Sequence, residues 1–306
     1  MKLSVNIGKL KLKNPVLVAS GTFGYAGEFA GFIDIEKLGA IVTKTITLKA
    51  RPGNPAPRTC ETPAGMLNAI GLENPGADVF LKEKLPALNK IGIPVIASIA
   101  AETPEELKRL INLLNDADVD AIELNLSCPN VKSPKSTVDS RLIAQDAQTT
   151  RNWVIAVRKV TRKTIIAKLS PNVTDIAEIA IAAERAGADA ISLINTITAM
   201  SIDTKTRRPM LANITGGLSG PAVRPVAVRM VWEAYQKIKV PIIGMGGIMD
   251  VQSALEFFIA GASAINIGTA NFINPRASIE IISGLKQYLK ENKIKDINNL
   301  IGSLRT

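Results

Sequence analysis

Apolar runs rich in Val and Ile recur along the chain, each ending in small or polar residues and most followed by residues at helical spacing. Short continuous apolar runs that alternate with helices mark βα units around a parallel sheet buried on both faces. The predicted strands are Val16 to Ser20, Ala40 to Thr45, Val95 to Ala100, Ala121 to Ser127, Thr164 to Ser170, Ala190 to Thr196, Pro241 to Gly247 and Ala264 to Ala270. Eight is the number that closes a (β/α)8 barrel. The expected fold class is therefore α/β, a (β/α)8 TIM barrel.

Helix punctuation supports the alternation. Thr103-Pro104-Glu105-Glu106 pairs an N-cap with a proline at the first helical position, and Arg185-Ala186-Gly187 closes another helix with a basic residue and a C′ glycine. Asp250 caps a helix through Ile259 that ends at Gly261. Ala-Gly-Ala occurs at 186–188 and again at 260–262, each time just before a strand, which reads as one helix-to-strand joint used twice. Two stretches break the rhythm. Lys49 to Asn74, rich in Pro, Gly and Asn, predicts a hairpin plus an ordered loop after the second strand, and Ala199 to Pro221 is a second insertion after the sixth. No linker-like shift in composition divides the chain, so one domain over 1–306 is expected, with both insertions on the face where barrel function resides.

Composition narrows the chemistry. The chain has 306 residues and no histidine, so Ser-His-Asp, Cys-His and His-based zinc chemistry are excluded. Proton transfer falls to Cys, Lys, Asp, Glu or Tyr. With 2 cysteines, Cys60 and Cys128, the chain alone can hold neither a four-thiolate iron–sulfur cluster nor a four-cysteine zinc, and no metal site is expected. Sparse cysteine, no apolar run of membrane-spanning length and no signal-like N-terminus predict a soluble cytoplasmic protein. There are 37 Lys+Arg against 27 Asp+Glu, a net +10. These cations are scattered without aromatic interleaving, which reads as a solvated basic surface favouring anionic ligands rather than a nucleic-acid face.

The strand C-termini carry a polar ring: Ser20-Gly21, Lys44-Thr45, Ser98, Asn125 with Ser127-Cys128, Lys168, Asn195-Thr196, Gly246-Gly247 and Gly268-Thr269. The glycines of Gly244-Met245-Gly246-Gly247-Ile248 and Asn266-Ile267-Gly268-Thr269 end the last two strands, where barrel enzymes commonly hold a phosphate on backbone N–H groups. Tight turns would require the same glycines. Lys44 and Lys168 each lie in a run otherwise made of apolar residues, Thr and Ser, with no acidic residue in either strand. A single buried lysine could belong to a structural ion pair, but two at corresponding strand ends point to an anionic ligand. Cys128 lies in Leu124-Asn125-Leu126-Ser127-Cys128-Pro129-Asn130. An isolated cysteine is more often a small buried hydrophobe, yet this one stands on the functional face, where nearby lysines would favour its thiolate. Cys60, in Arg58-Thr59-Cys60-Glu61, has no such setting.

Taken together, Asn14-Pro15-Val16 through Ser20-Gly21-Thr22-Phe23-Gly24, Thr43-Lys44-Thr45, Asn68-Ala69-Ile70-Gly71-Leu72, Asn125-Leu126-Ser127-Cys128-Pro129-Asn130, Ala167-Lys168-Leu169-Ser170-Pro171, Asn195-Thr196, Gly217-Leu218-Ser219-Gly220 and Gly246-Gly247-Ile248 resemble the class 1 dihydroorotate dehydrogenases. The match runs nearly the whole chain in order. Arg51-Pro52-Gly53-Asn54-Pro55 and Glu61-Thr62-Pro63-Ala64-Gly65-Met66-Leu67-Asn68 are most similar to the catalytic subunit of subclass B, the NAD-linked form.

The resemblance implies oxidation of (S)-dihydroorotate to orotate in pyrimidine biosynthesis, a C5 proton passing to Cys128 and a C6 hydride to FMN. It assigns Lys44 to flavin and substrate, Asn68, Ala69, Ile70, Gly71 and Leu72 to a substrate loop, and Asn125, Asn130, Asn195 and Thr196 to the pyrimidine and its carboxylate. It puts Ser20, Gly21, Thr45, Ser98, Asn125, Ile194, Gly220, Gly246, Gly247, Gly268 and Thr269 in the FMN site, with Lys168 at the flavin N1/O2 edge. It also implies a partner subunit carrying FAD and a 2Fe-2S cluster, in a heterotetramer of two catalytic and two electron-transfer subunits. Two departures from the family stand out: Ser98 replaces a frequent Asn, and Ser133 to Ser140 replaces a glycine-rich lid with an aromatic. The alternatives are a fumarate-linked subclass A enzyme, another FMN barrel such as dihydrouridine synthase, and a non-enzymatic phosphate- or nucleic-acid-binding barrel. Dihydrouridine synthase would require a basic C-terminal helical domain, for which Leu285 to Thr306 is too short.

Overall fold

The computed structural model describes residues 1–127 and 143–305. The chain opens with an antiparallel hairpin of β1 (Val5–Ile7) and β2 (Leu10–Leu12), then enters the sheet with β3 (Val16–Val18) and β4 (Ala40–Val42). A second hairpin, β5 (Thr59–Thr62) and β6 (Gly65–Asn68), follows in the first insertion. Four further sheet strands come next: β7 (Val95–Ile99), β8 (Ala121–Asn125), β9 (Thr164–Lys168) and β10 (Ala190–Leu193). The second insertion holds β11 (Ile197–Met200), β12 (Ile202–Asp203), β13 (Arg208–Pro209) and β14 (Thr215–Ser219), and β15 (Ile242–Met245) and β16 (Ala264–Ile267) complete the sheet.

Strands β3, β4, β7, β8, β9, β10, β15 and β16 close into a parallel barrel, the eight runs expected. Closure is between β16 and β3, with Ile265 beside Val16 and Ile267 beside Val18. The strands are buried along nearly their whole length because the inner face fills the barrel and the outer face packs on helices. Burial of both faces explains why they read as continuous apolar runs rather than alternating ones.

The helix ends follow the sequence signals. Thr103 Oγ1 accepts the Glu106 N–H at 3.1 Å, starting helix Pro104–Asn115. Asp250 accepts the Ser253 N–H at 2.8 Å while Ser253 Oγ accepts the Asp250 N–H at 3.0 Å, a reciprocal cap on helix Val251–Ala260. The two Ala-Gly-Ala joints are built alike. Gly187 and Gly261 hold φ of +101° and +126°, and the next residue's N–H returns to a carbonyl five residues back: Ala188 to Ala183 at 3.1 Å and Ala262 to Phe257 at 2.8 Å. Only glycine takes that turn without strain.

The two insertions do more than the sequence indicated. They pair with each other in one antiparallel sheet of order β11-β14-β6-β5, with Gly217 opposite both Asn68 and Thr198. This sheet stands over the C-terminal mouth of the barrel, with Asn68 and Thr198 on opposite sides of Gly217 and Thr196 just before β11, where a side chain on Gly217 would meet it.

Candidate active site

A cavity of about 330 Å³ lies at the C-terminal end of the barrel, enclosed by strand ends and by the insertion sheet. Its size falls in the range of small-molecule and cofactor sites, roughly 300–1,000 Å³. Its lining includes Ser20, Gly21, Lys44, Thr45, Asn68, Ile70, Gly71, Leu72, Asn125, Lys168, Ile194, Asn195, Thr196, Gly220, Gly246, Gly247, Gly268 and Thr269. Two predicted residues sit elsewhere. Ala69 is buried in a small apolar cluster with Leu67 and Leu211, and Ser98 lies fully buried with its hydroxyl on Thr45 rather than on the cavity. Cys128 and Asn130, and the atypical stretch that follows them, lie outside the described residues.

Across the strand ends runs one chain of hydrogen bonds. Asn195 Nδ2 donates to Ser127 Oγ at 2.8 Å, Ser127 Oγ to Asn125 Oδ1 at 3.2 Å, and Asn125 Nδ2 to Thr45 Oγ1 at 3.0 Å. Thr45 Oγ1 then meets Ser20 Oγ and Ser98 Oγ, each at 3.0 Å. The chain ties the ends of β10, β8, β4, β3 and β7, so each amide enters the cavity with its orientation already fixed. Asn195 Oδ1 also accepts the Thr196 N–H at 2.8 Å, and Asn172 Nδ2 donates to the Thr196 carbonyl at 3.2 Å. Asn172 was not picked out from sequence, for it lies in the loop past β9, beyond the end of the apolar run.

The two lysines have acidic neighbours that reading along their own strands could not show. Lys168 Nζ lies 3.8 Å from Glu123 Oε1, on the adjoining strand β8. Lys44 Nζ lies 3.9 Å from Glu73 Oε2, which also takes Arg58 Nη2 at 2.6 Å. The reading of these lysines as free of acids is therefore corrected: parallel pairing sets β8 beside β9 and so Glu123 against Lys168, and the loop that ends the first insertion brings Glu73 back to Lys44. Both ammonium groups still face the cavity, at separations longer than a hydrogen bond.

Small residues form another part of the cavity wall. Gly220, Gly246 and Gly247 hold φ of +97°, +125° and +72°, and a Cβ at Gly247 would come within 2.7 Å of the Gly220 carbonyl. A Cβ at Gly21 would meet nothing within 4 Å, leaving the backbone open to a ligand. Thr269 Oγ1 donates to Ser219 Oγ at 2.8 Å beside these glycines. Thr22, Ser219, Asn266, Glu73 and Phe272 also line the cavity and were not singled out. Asn266 had a signal: it is the one polar residue within the otherwise apolar strand β16.

A family model described as Dihydroorotate dehydrogenase matches residues 2–289. Among curated relatives, "Dihydroorotate dehydrogenase B (NAD(+)), catalytic subunit" of Trichlorobacter lovleyi is 54% identical over 303 residues, covering 99% of this chain and 98% of that protein. The protein so named in Geotalea uraniireducens is 52% identical over 305 residues, with 99% and 98% covered. That of Thermoanaerobacter sp. is 52% identical over 305 residues, with 100% and 99% covered.

Proposed function

The chain belongs to the dihydroorotate dehydrogenase family, and from that premise we propose that it oxidises (S)-dihydroorotate to orotate as an FMN-dependent, NAD-linked catalytic subunit of pyrimidine biosynthesis. The observation that carries this reading is the hydrogen-bonded chain Asn195-Ser127-Asn125-Thr45, set beside two lysines in one cavity. A cyclic ureide bearing a carboxylate offers alternating donors and acceptors and one negative charge. Amides match the ring because each supplies both donor and acceptor, and lysine matches the charge.

The residues present fit FMN. Both side-chain atoms of Asn266 are buried without a hydrogen-bond partner among the described residues, although the residue lines the cavity. Such a group needs a polar ligand edge. The positive-φ glycines at 220, 246 and 247, with Gly268, Thr269 and Ser219, form a cradle in which backbone can approach a phosphate closely. Bound FMN supplies the acceptor for the hydride that leaves C6. Lys44, Asn68, Ile70, Gly71 and Leu72 hold the substrate under the insertion sheet, and Asn125, Asn195 and Thr196 fix its orientation. Cys128 takes the C5 proton in this reading, and Asn195 and Asn125 brace the adjoining Ser127. Lys168 presents a positive charge where the reduced ring gains a negative one.

Electrons leave through a second subunit, which in our reading carries FAD and a 2Fe-2S cluster in a complex with two copies of each chain. The "catalytic subunit" in the relatives' names supports a separate partner, as does the chain's 2-cysteine content, too few to ligate a cluster. Among the described residues no helix is long and apolar enough to cross a membrane, and a thiol base suits the cytoplasm, where thiols stay reduced. The test is to load the purified chain with FMN and follow dihydroorotate oxidation with an artificial acceptor and with NAD. Turnover with the dye and negligible NAD reduction are expected; robust NAD reduction by the chain alone would refute the need for a partner.

A further inference from the structure

Glu123 is a buried acid that the proposed reaction does not use. It sits in β8, its side chain 1% exposed, with one oxygen 3.8 Å from Lys168 Nζ, itself 6% exposed. Neither carboxylate oxygen has a hydrogen-bond partner among the described residues. Its place on the inner face follows from strand geometry: Asn125, two residues on, lines the cavity, and side chains repeat every second residue. Ser192, at the register of Lys168 in β10, and Asn266 in β16 are likewise buried without partners among the described residues. A polar layer therefore lies inside the barrel, and Glu123 is the acidic member placed against Lys168.

A buried ion pair of this kind does little for stability, since desolvating both charges offsets their attraction. A carboxylate held by charge alone has one strong effect on its surroundings, which is its field. We propose that Glu123 is a positioning residue that balances the charge of Lys168, so that the bound flavin meets a nearly neutral barrel floor rather than a lone cation. This inference rests on the FMN reading above. Because Lys168 faces the cavity and Glu123 lies behind it, the balance is partial and leaves the floor slightly positive. The pair then sets the redox potential of the bound flavin, independently of how substrate is held.

The experiment measures the two-electron midpoint potential of FMN bound to the full chain, by dye-equilibrated reductive titration. Glu123→Gln keeps the shape and removes the charge. It is expected to stabilise reduced over oxidised flavin about tenfold, an upward shift of ~30 mV for a two-electron couple. Glu123→Asp keeps the charge and should stay close to wild type. Because Glu123→Gln leaves a lone buried cation, the pair is also removed together: Lys168→Gln alone should lower the potential, and Glu123→Gln/Lys168→Gln should recover at least a third of that loss. An unchanged or lowered potential in Glu123→Gln, or a double variant no higher than Lys168→Gln, would overturn the proposal. Failure of the wild-type chain to bind FMN would instead overturn the functional reading on which it rests.

Discussion

Gly217→Ala places one methyl group at the point where the two insertions meet. Gly217 lies in β14, opposite Asn68 on one side and Thr198 on the other. An added Cβ would stand 2.0 Å from Thr196 Oγ1 and 2.6 Å from Thr196 Cβ. Rotating the hydroxyl relieves the first contact but not the second. Thr196 has little room to retreat, because Asn195 Oδ1 holds its N–H at 2.8 Å and Asn172 Nδ2 its carbonyl at 3.2 Å. Overpacking of this kind costs about 1–3 kcal/mol, and displacing Thr196 also moves Asn195. If that cost falls on substrate binding, affinity drops roughly 5- to 150-fold. The assay titrates orotate against the FMN-loaded protein and follows the flavin difference spectrum, with FMN affinity measured separately by fluorescence. Orotate binding should weaken within that range while FMN affinity changes by less than about threefold, since the added methyl group meets Thr196 and none of Gly220, Gly246 and Gly247. A folded variant that binds orotate within about twofold of wild type would refute the claim that the insertion sheet positions the substrate residues.

Three further perturbations test other parts of the account. Cys128→Ala should slow flavin reduction by dihydroorotate about 10²-fold or more with FMN still bound, the size of a lost general base; stopped-flow absorbance checks it, and a near-wild-type rate would remove Cys128 from that role. Thr45→Val removes the hydroxyl that meets Ser20, Ser98 and Asn125; it should cost about 2 kcal/mol in chemical denaturation and weaken FMN binding. Asp250→Ala removes the cap on helix Val251–Ala260 and should cost about 1 kcal/mol at pH 7. The Ser253 backbone N–H, then its hydroxyl, hold the Asp250 carboxyl below the ordinary carboxylate range. The cap therefore contributes fully above the unfolded value of ~3.9 and is lost as pH falls through the lower folded value; denaturation curves of wild type and variant should converge below about pH 4.

The barrel was legible because its strands are buried on both faces, which writes them as unbroken apolar runs, and because caps such as Asp250 and joints such as Ala-Gly-Ala are local in sequence. Strand-end residues were legible for a related reason: a polar group ending an apolar run stands out, as Asn125, Lys168 and Asn195 do. What depends on pairing between distant segments was not. Glu123 looked like part of an apolar run until its neighbour across the sheet proved to be Lys168. The insertions Lys49 to Asn74 and Ala199 to Pro221 gave no sign that they share a sheet, because antiparallel register between them involves no local pattern. Ser98 was expected at the flavin by analogy with a larger amide; the shorter side chain reaches Thr45 instead.

The central claim is that this cavity passes a hydride from dihydroorotate to flavin. The most direct measurement is anaerobic addition of dihydroorotate to the FMN-loaded chain, with absorbance followed near ~450 nm. Bleaching of the oxidised flavin band in step with formation of orotate is the expected result. A flavin that is bound but stays oxidised under excess dihydroorotate would contradict it.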